Sequence, residues 1–374
     1  MKPSRLPALF DRVWVLRVAM APCFLSRRPL SLPLLPVALV LLLLLPPLHP
    51  AAAQAPPAPV PEHYGWAGLR SAMAVVAPDH GLGPDFSTDA TVVTCYFQLT
   101  KSKFTHTRYQ AWLRQMLAHV KNPLVVFTTP ADEPELRQMR GALPAVYITY
   151  PSLWDVPPAA HYRAMYQAQH GIDPERSIHS PELYAVWNSK VWFTAAAAAA
   201  NPFRSRYFLW ADAGSFRNRH FNTWPDPARL DAAFASCKAA DCVLLGCVTA
   251  RWQATTVDPA ARTPLVGDMV EGGFFAARAP SMLWLLTEFY SLLHEYASRG
   301  VFVGKDQTMF NMLAMKFYWR VAMLPAYRMT PGCGSDPWFA FQHMLAPPAE
   351  TSNQCAMEVE AYHGNVTVAL GPAR

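Results

Sequence analysis

The 374-residue chain has none of the short motifs that announce a chemistry most directly. It contains no GxxxxGK[ST] loop, no GxGxxG, no HExxH and no GxSxG. Those absences remove the easiest cases for nucleotide hydrolysis, dinucleotide binding, zinc proteolysis and serine hydrolysis. Close CxxC pairs are missing too: Cys237, Cys242 and Cys247 are spaced by five, which suits buried thiols better than a zinc site. Charge is sparse, at 16% of residues, and no basic stripe is interleaved with aromatics. Of the formal net charge of +6, most lies in the first 30 residues, where Lys2, Arg5, Arg12, Arg17, Arg27 and Arg28 face only Asp11. The nearly neutral remainder offers no phosphate-neutralising surface, so a nucleic-acid partner is not expected. Internal repeats are absent, and 52% hydrophobic residues are ample for a substantial core.

What is present begins with a division of the chain. A basic tail (1–29) runs into "LSLPLLPVALVLLLLLPPLH" (30–49), which has the length and apolarity of a membrane-spanning segment. Positive flanks stay cytoplasmic, so the expectation is a type II signal anchor with the body across the membrane. The rival is a cleaved secretory signal, since Ala51 to Ala55 ("AAAQA") offers small-residue cleavage sites. Residues 50–88 are rich in Pro and Ala and read as an extended stem. The folded domain is expected over 89–374. Leaving Cys23 aside, six cysteines remain, an even number that permits disulfides in an oxidising lumen in any of fifteen pairings. Asn365 in "NVT" is then a glycosylation acceptor.

Within the folded part, apolar runs alternate with helical periodicities. "DATVVTCYFQL", "NPLVVFTT" and "AVYITY" read as strands, with helices between and after them, the second of these around His161 to His170. The clearest helix follows Ser180 as N-cap and closes at Asn201-Pro202, with Leu183, Trp187 and Val191 on one face. "VLLGCV" and "EGGFFAAR" read as further strands. A helix carrying Met282, Leu286, Phe289, Leu293 and Tyr296 stops at Gly300, and another starts at Asp306. Such alternation predicts an α/β fold with a mostly parallel mixed sheet flanked by helices.

In "YFLWADAGSFR" a buried strand ends in a lone carboxylate, Asp212. Ligands of open α/β sheets gather at the carboxyl ends of strands, which places Asp212 to meet one. The plain alternative is a turn-forming Asp before Gly214.

The segments "TCYFQL", "NPLVVFT", "ELYAVWNSKVWF", "NPFRSRYFLWADAGSFR", "EGGFFAAR" and "GKDQTMFN", in that order from about Thr91 to Met323, resemble the HtrL/YibB family. That resemblance implies a glycosyltransferase of the GT-A type: a nucleotide sugar, UDP-linked, as donor, a glycan or protein hydroxyl as acceptor, and Mn2+ or another divalent cation bridging the diphosphate. Such enzymes use Asp-x-Asp at a strand end. Here Asp212-Ala213-Gly214 keeps one carboxylate, and His363 is similar to the late histidine that completes some of these metal sites. Asp306 is then the catalytic base or acceptor-binding carboxylate, although it is equally a good N-cap. Trp187, Asn188, Lys190, Arg217, Gly272 and Gly273 are the donor-binding candidates, together with Asp212 and Gly214. Their plain alternatives are a packed Trp face, a solvated helix face, a surface arginine and a strand bulge. The implied setting is the Golgi lumen. Two other function classes stay open: a noncatalytic carbohydrate-binding or scaffold protein on the same fold, and a hydrolase whose site admits water.

Overall fold

The structure is a computed structural model. It describes residues 66–74, 88–351 with gaps at 218–220, 222, 238, 240, 251, 253–255, 257, 259 and 329–335, and residues 359–361. The expected tail, anchor, His363 and Asn365 lie outside the described residues, as do Cys23, Cys333 and Cys355, while residues 66–74, within the expected stem, form helix α1 (Trp66–Ala74) rather than extended chain. Among the described residues no helix is long and apolar enough to cross a membrane.

The chain forms the expected α/β class. Strands β1 (Ala90–Cys95), β2 (Leu124–Thr128), β3 (Ala145–Thr149), β4 (Tyr207–Ala211), β5 (Val243–Cys247), β6 (Val270–Arg278), β7 (Val321–Pro325) and β8 (Glu360–Ala361) make one sheet. Their order across it is β3-β2-β1-β4-β6-β5-β7-β8. The first four are parallel; β6 runs antiparallel to both β4 and β5, β5 pairs with β7 in parallel, and β8 closes the edge antiparallel.

Helices cover both faces, which is why the strands read as continuous apolar runs. Val93, Phe208, Trp210 and Phe275 point to one face, against α5 (Pro181–Ala200), α7 (Ala279–Ser298) and α8 (Asp306–Lys316). Val92, Tyr207, Leu209 and Phe274 point to the other, against α2 (His106–His119), α3 (Glu133–Arg140) and α6 (Pro227–Ala235). Alternation along each strand thus survives, with apolar side chains on both sides.

Local chemistry sets most boundaries. Thr105 caps α2, its hydroxyl accepting from the Arg108 N–H, and Ser180 caps α5 in the same way through Leu183. Helix α4 (Pro157–His170) starts earlier than its apolar pattern suggests, because Pro157 and Pro158 occupy a first turn that needs no N–H donor. Helix α5 ends with Asn201 in the left-handed region, at φ 41°. It is central rather than one-sided: from Asn188 to Ala199 every residue is buried, so the alternative reading of a solvated helix face does not hold for Asn188 and Lys190. Cys95 and Cys247 are buried free thiols, but Cys237 and Cys242 form a disulfide.

Candidate active site

Strand β1 leads to β2 and β3 on one side, whereas β4 lies on its other side. The chain therefore reverses direction across the sheet between β1 and β4, the place where open α/β sheets leave a crevice beyond their strand ends. Asp212 follows β4 there. Its N–H donates to the Gly273 carbonyl at 2.9 Å, continuing the β4–β6 ladder by one residue. Because β6 is antiparallel, its opening residues Glu271, Gly272 and Gly273 arrive at the same end of the sheet.

Lys190 enters from α5 beneath this edge. Its Nζ donates to the Gly272 carbonyl at 2.7 Å and lies 3.0 Å from Asp212 Oδ1 and 2.9 Å from Asp306 Oδ2. Three ammonium donors thus meet three acceptors from β4, β6 and α8. Burial alone would pull the lysine pKa down, but Asp212 and Asp306 more than reverse this and hold it above its ordinary value. Asp306 is raised, by burial first; Lys190 offsets only part of this, and the nearby Asp212 charge adds to the rise. The two carboxylates differ in access: the Asp212 side chain is 38% exposed and that of Asp306 only 4%. The Trp210 indole N–H donates to Asp212 Oδ1 at 2.7 Å and fixes that carboxylate from behind.

Asp306 is the first residue of α8 rather than its N-cap, which is Lys305. Its Oδ1 accepts from the Gln307 N–H at 2.9 Å, so it still satisfies a helix-start donor while pairing with Lys190. Gly272 makes this approach feasible: a Cβ there would stand 2.6 Å from Asp306 Oδ1. Gly246 does the same for Glu271, whose Oε1 would be 2.1 Å from an added Cβ. Glu271 itself is buried, and burial, helped by the Asp212 charge, pushes its carboxyl well above the usual carboxylate range.

These groups floor a cavity of about 600 Å³. Tyr96, Phe97, Trp187, Tyr109, Trp338 and Phe339 are among its walls, and Lys103 and Arg217 bring positive charge. Arg217 donates through Nε to the Gly214 carbonyl at 2.7 Å, and its guanidinium lies over Trp112 and Phe339 at 4.1 and 4.7 Å. Burial lowers its pKa.

Of the residues expected from the sequence, Asp212, Gly214, Arg217, Gly272, Gly273, Lys190, Trp187 and Asp306 all line this one cavity. Asn188 does not; it is fully buried and gives its amide N–H groups to the Val303 and Gly304 carbonyls at 3.2 and 3.3 Å. Glu271, Ser215 and Trp210 also line the site and escaped notice. An acid inside an apolar strand and directly before two glycines was the available signal for Glu271.

A divalent metal does not fit the described residues. Gly214 supplies no second carboxylate, and both Asp212 oxygens are already engaged: Oδ1 accepts from Trp210 and lies 3.0 Å from the Lys190 ammonium, and Oδ2 accepts from that ammonium at 3.3 Å. Among the described residues no group of three His, Cys, Asp or Glu side chains is placed to hold an ion. An ammonium stands among the carboxylates instead.

No family model matches the chain, and no curated protein does. Solved structures similar to it include mouse xyloside xylosyltransferase 1 in its apo form, at TM-score 0.36 and 12% identity, covering 63% of this chain and 84% of that one. Another is core-mannan synthase A from Aspergillus fumigatus in its Mn/GDP form, at TM-score 0.39 and 10% identity, covering 66% and 76%. Both likenesses are distant, and the site's chemistry has to be read from its own residues.

Proposed function

We propose that the protein is a glycosyltransferase, moving a sugar from a nucleotide-sugar donor to an acceptor hydroxyl. The observation that carries this reading is the convergence of Asp212 and Asp306 on one buried ammonium, beside the β1/β4 crevice and under an aromatic-walled cavity. A volume of about 600 Å³ lies within the range of small-molecule sites. Carboxylates accept hydrogen bonds from sugar hydroxyls, and ring faces of Trp187, Tyr109 or Trp338 stack on bases and pyranoses. Arg217 and Lys103 supply charge for a diphosphate.

In this reading Asp212, the more exposed carboxylate, meets the donor first. Asp306 reaches the ligand over the bare Cα of Gly272 and serves as base or acceptor-binding group. The donor is UDP-linked and the acceptor a glycan or protein hydroxyl. The apolar segment 30–49 behind a basic tail supports a type II placement with the body in the Golgi lumen.

One observation favours a second reading, a sugar-binding protein without turnover: Asp212 is paired with Lys190 and has no carboxylate partner at Gly214. Incubation of the full chain with nucleotide sugars separates the two. Release of UDP that requires an acceptor and is abolished by Asp306→Asn supports the transferase. Binding without release supports the sugar-binding protein, release without acceptor supports a hydrolase, and no nucleotide binding at all sinks the transferase reading.

A further inference from the structure

Three oxygens ring one point over Gly273. A Cβ on that residue would lie 3.6 Å from Glu271 Oε2, 3.7 Å from Asp212 Oδ2 and 3.8 Å from Ser215 Oγ, ordinary contact distances for a group placed there. Two of the three, Glu271 Oε2 and Ser215 Oγ, are buried and have no hydrogen-bond partner. Their residues are 2% and 1% exposed, yet both line the cavity with Asp212 and Gly273. The Ser215 N–H donates to the Asp212 carbonyl at 2.9 Å, so the turn after β4 holds its hydroxyl in place. Buried polar atoms without partners cost stability, and native proteins keep few of them unless a ligand or ion completes the set.

Building on the transferase reading, we propose that the niche over Gly273 is a hydroxyl-binding site for a sugar ring, with Glu271 and Ser215 as donors and Asp212 as acceptor. A hydroxyl both donates and accepts, and so matches a mixed set. Glu271 donates in its protonated form, the form that its burial favours. A phosphate oxygen only accepts and would meet the Asp212 charge. A divalent cation would demand the ionised form of Glu271, which burial opposes.

Gly273 supplies a clean test, since its backbone is outside the left-handed region and an added methyl meets nothing closer than 3.6 Å. Gly273→Ala should therefore fold, checked by circular dichroism, while filling the niche. Calorimetry on the full chain would compare UDP-glucose with UDP, and GDP-mannose with GDP, for the wild type, Gly273→Ala and Ser215→Ala. The readout is the ratio of nucleotide-sugar affinity to diphosphate affinity, which the site predicts to fall by about tenfold in Gly273→Ala and by several-fold in Ser215→Ala.

An unchanged ratio in Gly273→Ala overturns the niche and leaves the transferase reading standing. Manganese binding without nucleotide that Gly273→Ala abolishes also overturns it, in favour of a cation. If no nucleotide binds the wild type, the transferase reading fails, and saturation-transfer NMR with methyl glucoside decides the niche. Transfer to the wild type that Gly273→Ala removes supports a hydroxyl site, whereas absent or equal transfer overturns it.

Discussion

Lys190 and Asp306 meet across 2.9 Å with 3% and 4% of their side chains exposed, and the same ammonium holds Asp212 at 3.0 Å. One side chain from α5 thereby ties the tip of β4, the start of β6 and the start of α8 into the floor of the cavity. Removing it leaves two carboxylates and the Gly272 carbonyl without their donor. Lys190→Met should cost about 3–5 kcal/mol in urea unfolding, the usual scale for breaking a buried ion pair from one side. Adding Asp306→Asn should recover part of that loss, and equal stability of single variant and wild type would contradict the hub.

Gly272 and Gly273 are adjacent, yet they should respond differently to the same methyl group. At Gly272 the Cβ would press within 2.6 Å of Asp306 Oδ1, backed by buried Lys190, whereas at Gly273 nothing lies closer than 3.6 Å. Gly272→Ala should lose about 1–3 kcal/mol through overpacking. Gly273→Ala should lose less, as read from denaturant midpoints, and the reverse order would refute the arrangement.

Glu271 makes stability depend on pH in a definite direction. Well below pH 4.5, the ordinary glutamate value, folded and unfolded chains both carry the proton and its contribution is full. As pH rises the unfolded chain releases the proton while the folded chain keeps it, so stability falls until the pH passes the raised folded value. The slope from one such group approaches about 1.4 kcal/mol per pH unit. Glu271→Gln should flatten the decline above pH 4.5 by up to that amount, measured as unfolding free energy against pH, and parallel profiles would disprove a raised Glu271.

Arg140 braces the other half of the sheet. Its two Nη groups donate to the carbonyls of Leu117, Val120, Asn122 and Pro144, joining the end of α2 to the starts of β2 and β3. Burial lowers its pKa to about 10, still leaving it charged at neutral pH. A lysine has one nitrogen and cannot span four carbonyls arranged for a planar fork. Arg140→Lys should therefore cost about 2–4 kcal/mol, since each abandoned buried carbonyl carries a penalty of order 1–3 kcal/mol. Thermal unfolding indistinguishable from wild type would contradict this.

Much of this architecture is legible in the residues because strands buried on both faces leave continuous apolar runs and Ser180 and Asn201 punctuate α5. Asp212 is equally legible, being a carboxylate at the end of such a run. Helix α3 is harder to see: it is short, strongly charged, and buries only Leu136, Met139 and Arg140. The antiparallel insertion of β6 is hidden because strand order depends on contacts far apart in sequence. The same holds for the Lys190 pairing, whose partners lie 22 and 116 residues further on at Asp212 and Asp306. Asn188 shows the converse limit: next to a cavity-lining tryptophan, it turns away because a helix rotates successive side chains by about 100°.

Asp212 allows its structural part to be separated from the ligand-binding part proposed for it. Asp212→Asn keeps an oxygen for the Trp210 indole N–H and leaves Lys190 paired with Asp306, so little stability should be lost. The variant nevertheless removes the charge and one acceptor from the more exposed of the two carboxylates that meet Lys190. Hydrogen bonds to charged groups are worth about 1.5–3 kcal/mol, which corresponds to roughly ten- to hundredfold in affinity. Calorimetric titration of a nucleotide sugar into Asp212→Asn should show that loss with a melting temperature within a few degrees of wild type. Asp212→Ala, which also strips the indole of its acceptor, should lose both binding and stability. If Asp212→Asn binds as tightly as wild type, Asp212 is a turn residue held by Trp210 and Lys190, and the ligand is recognised by the remaining wall.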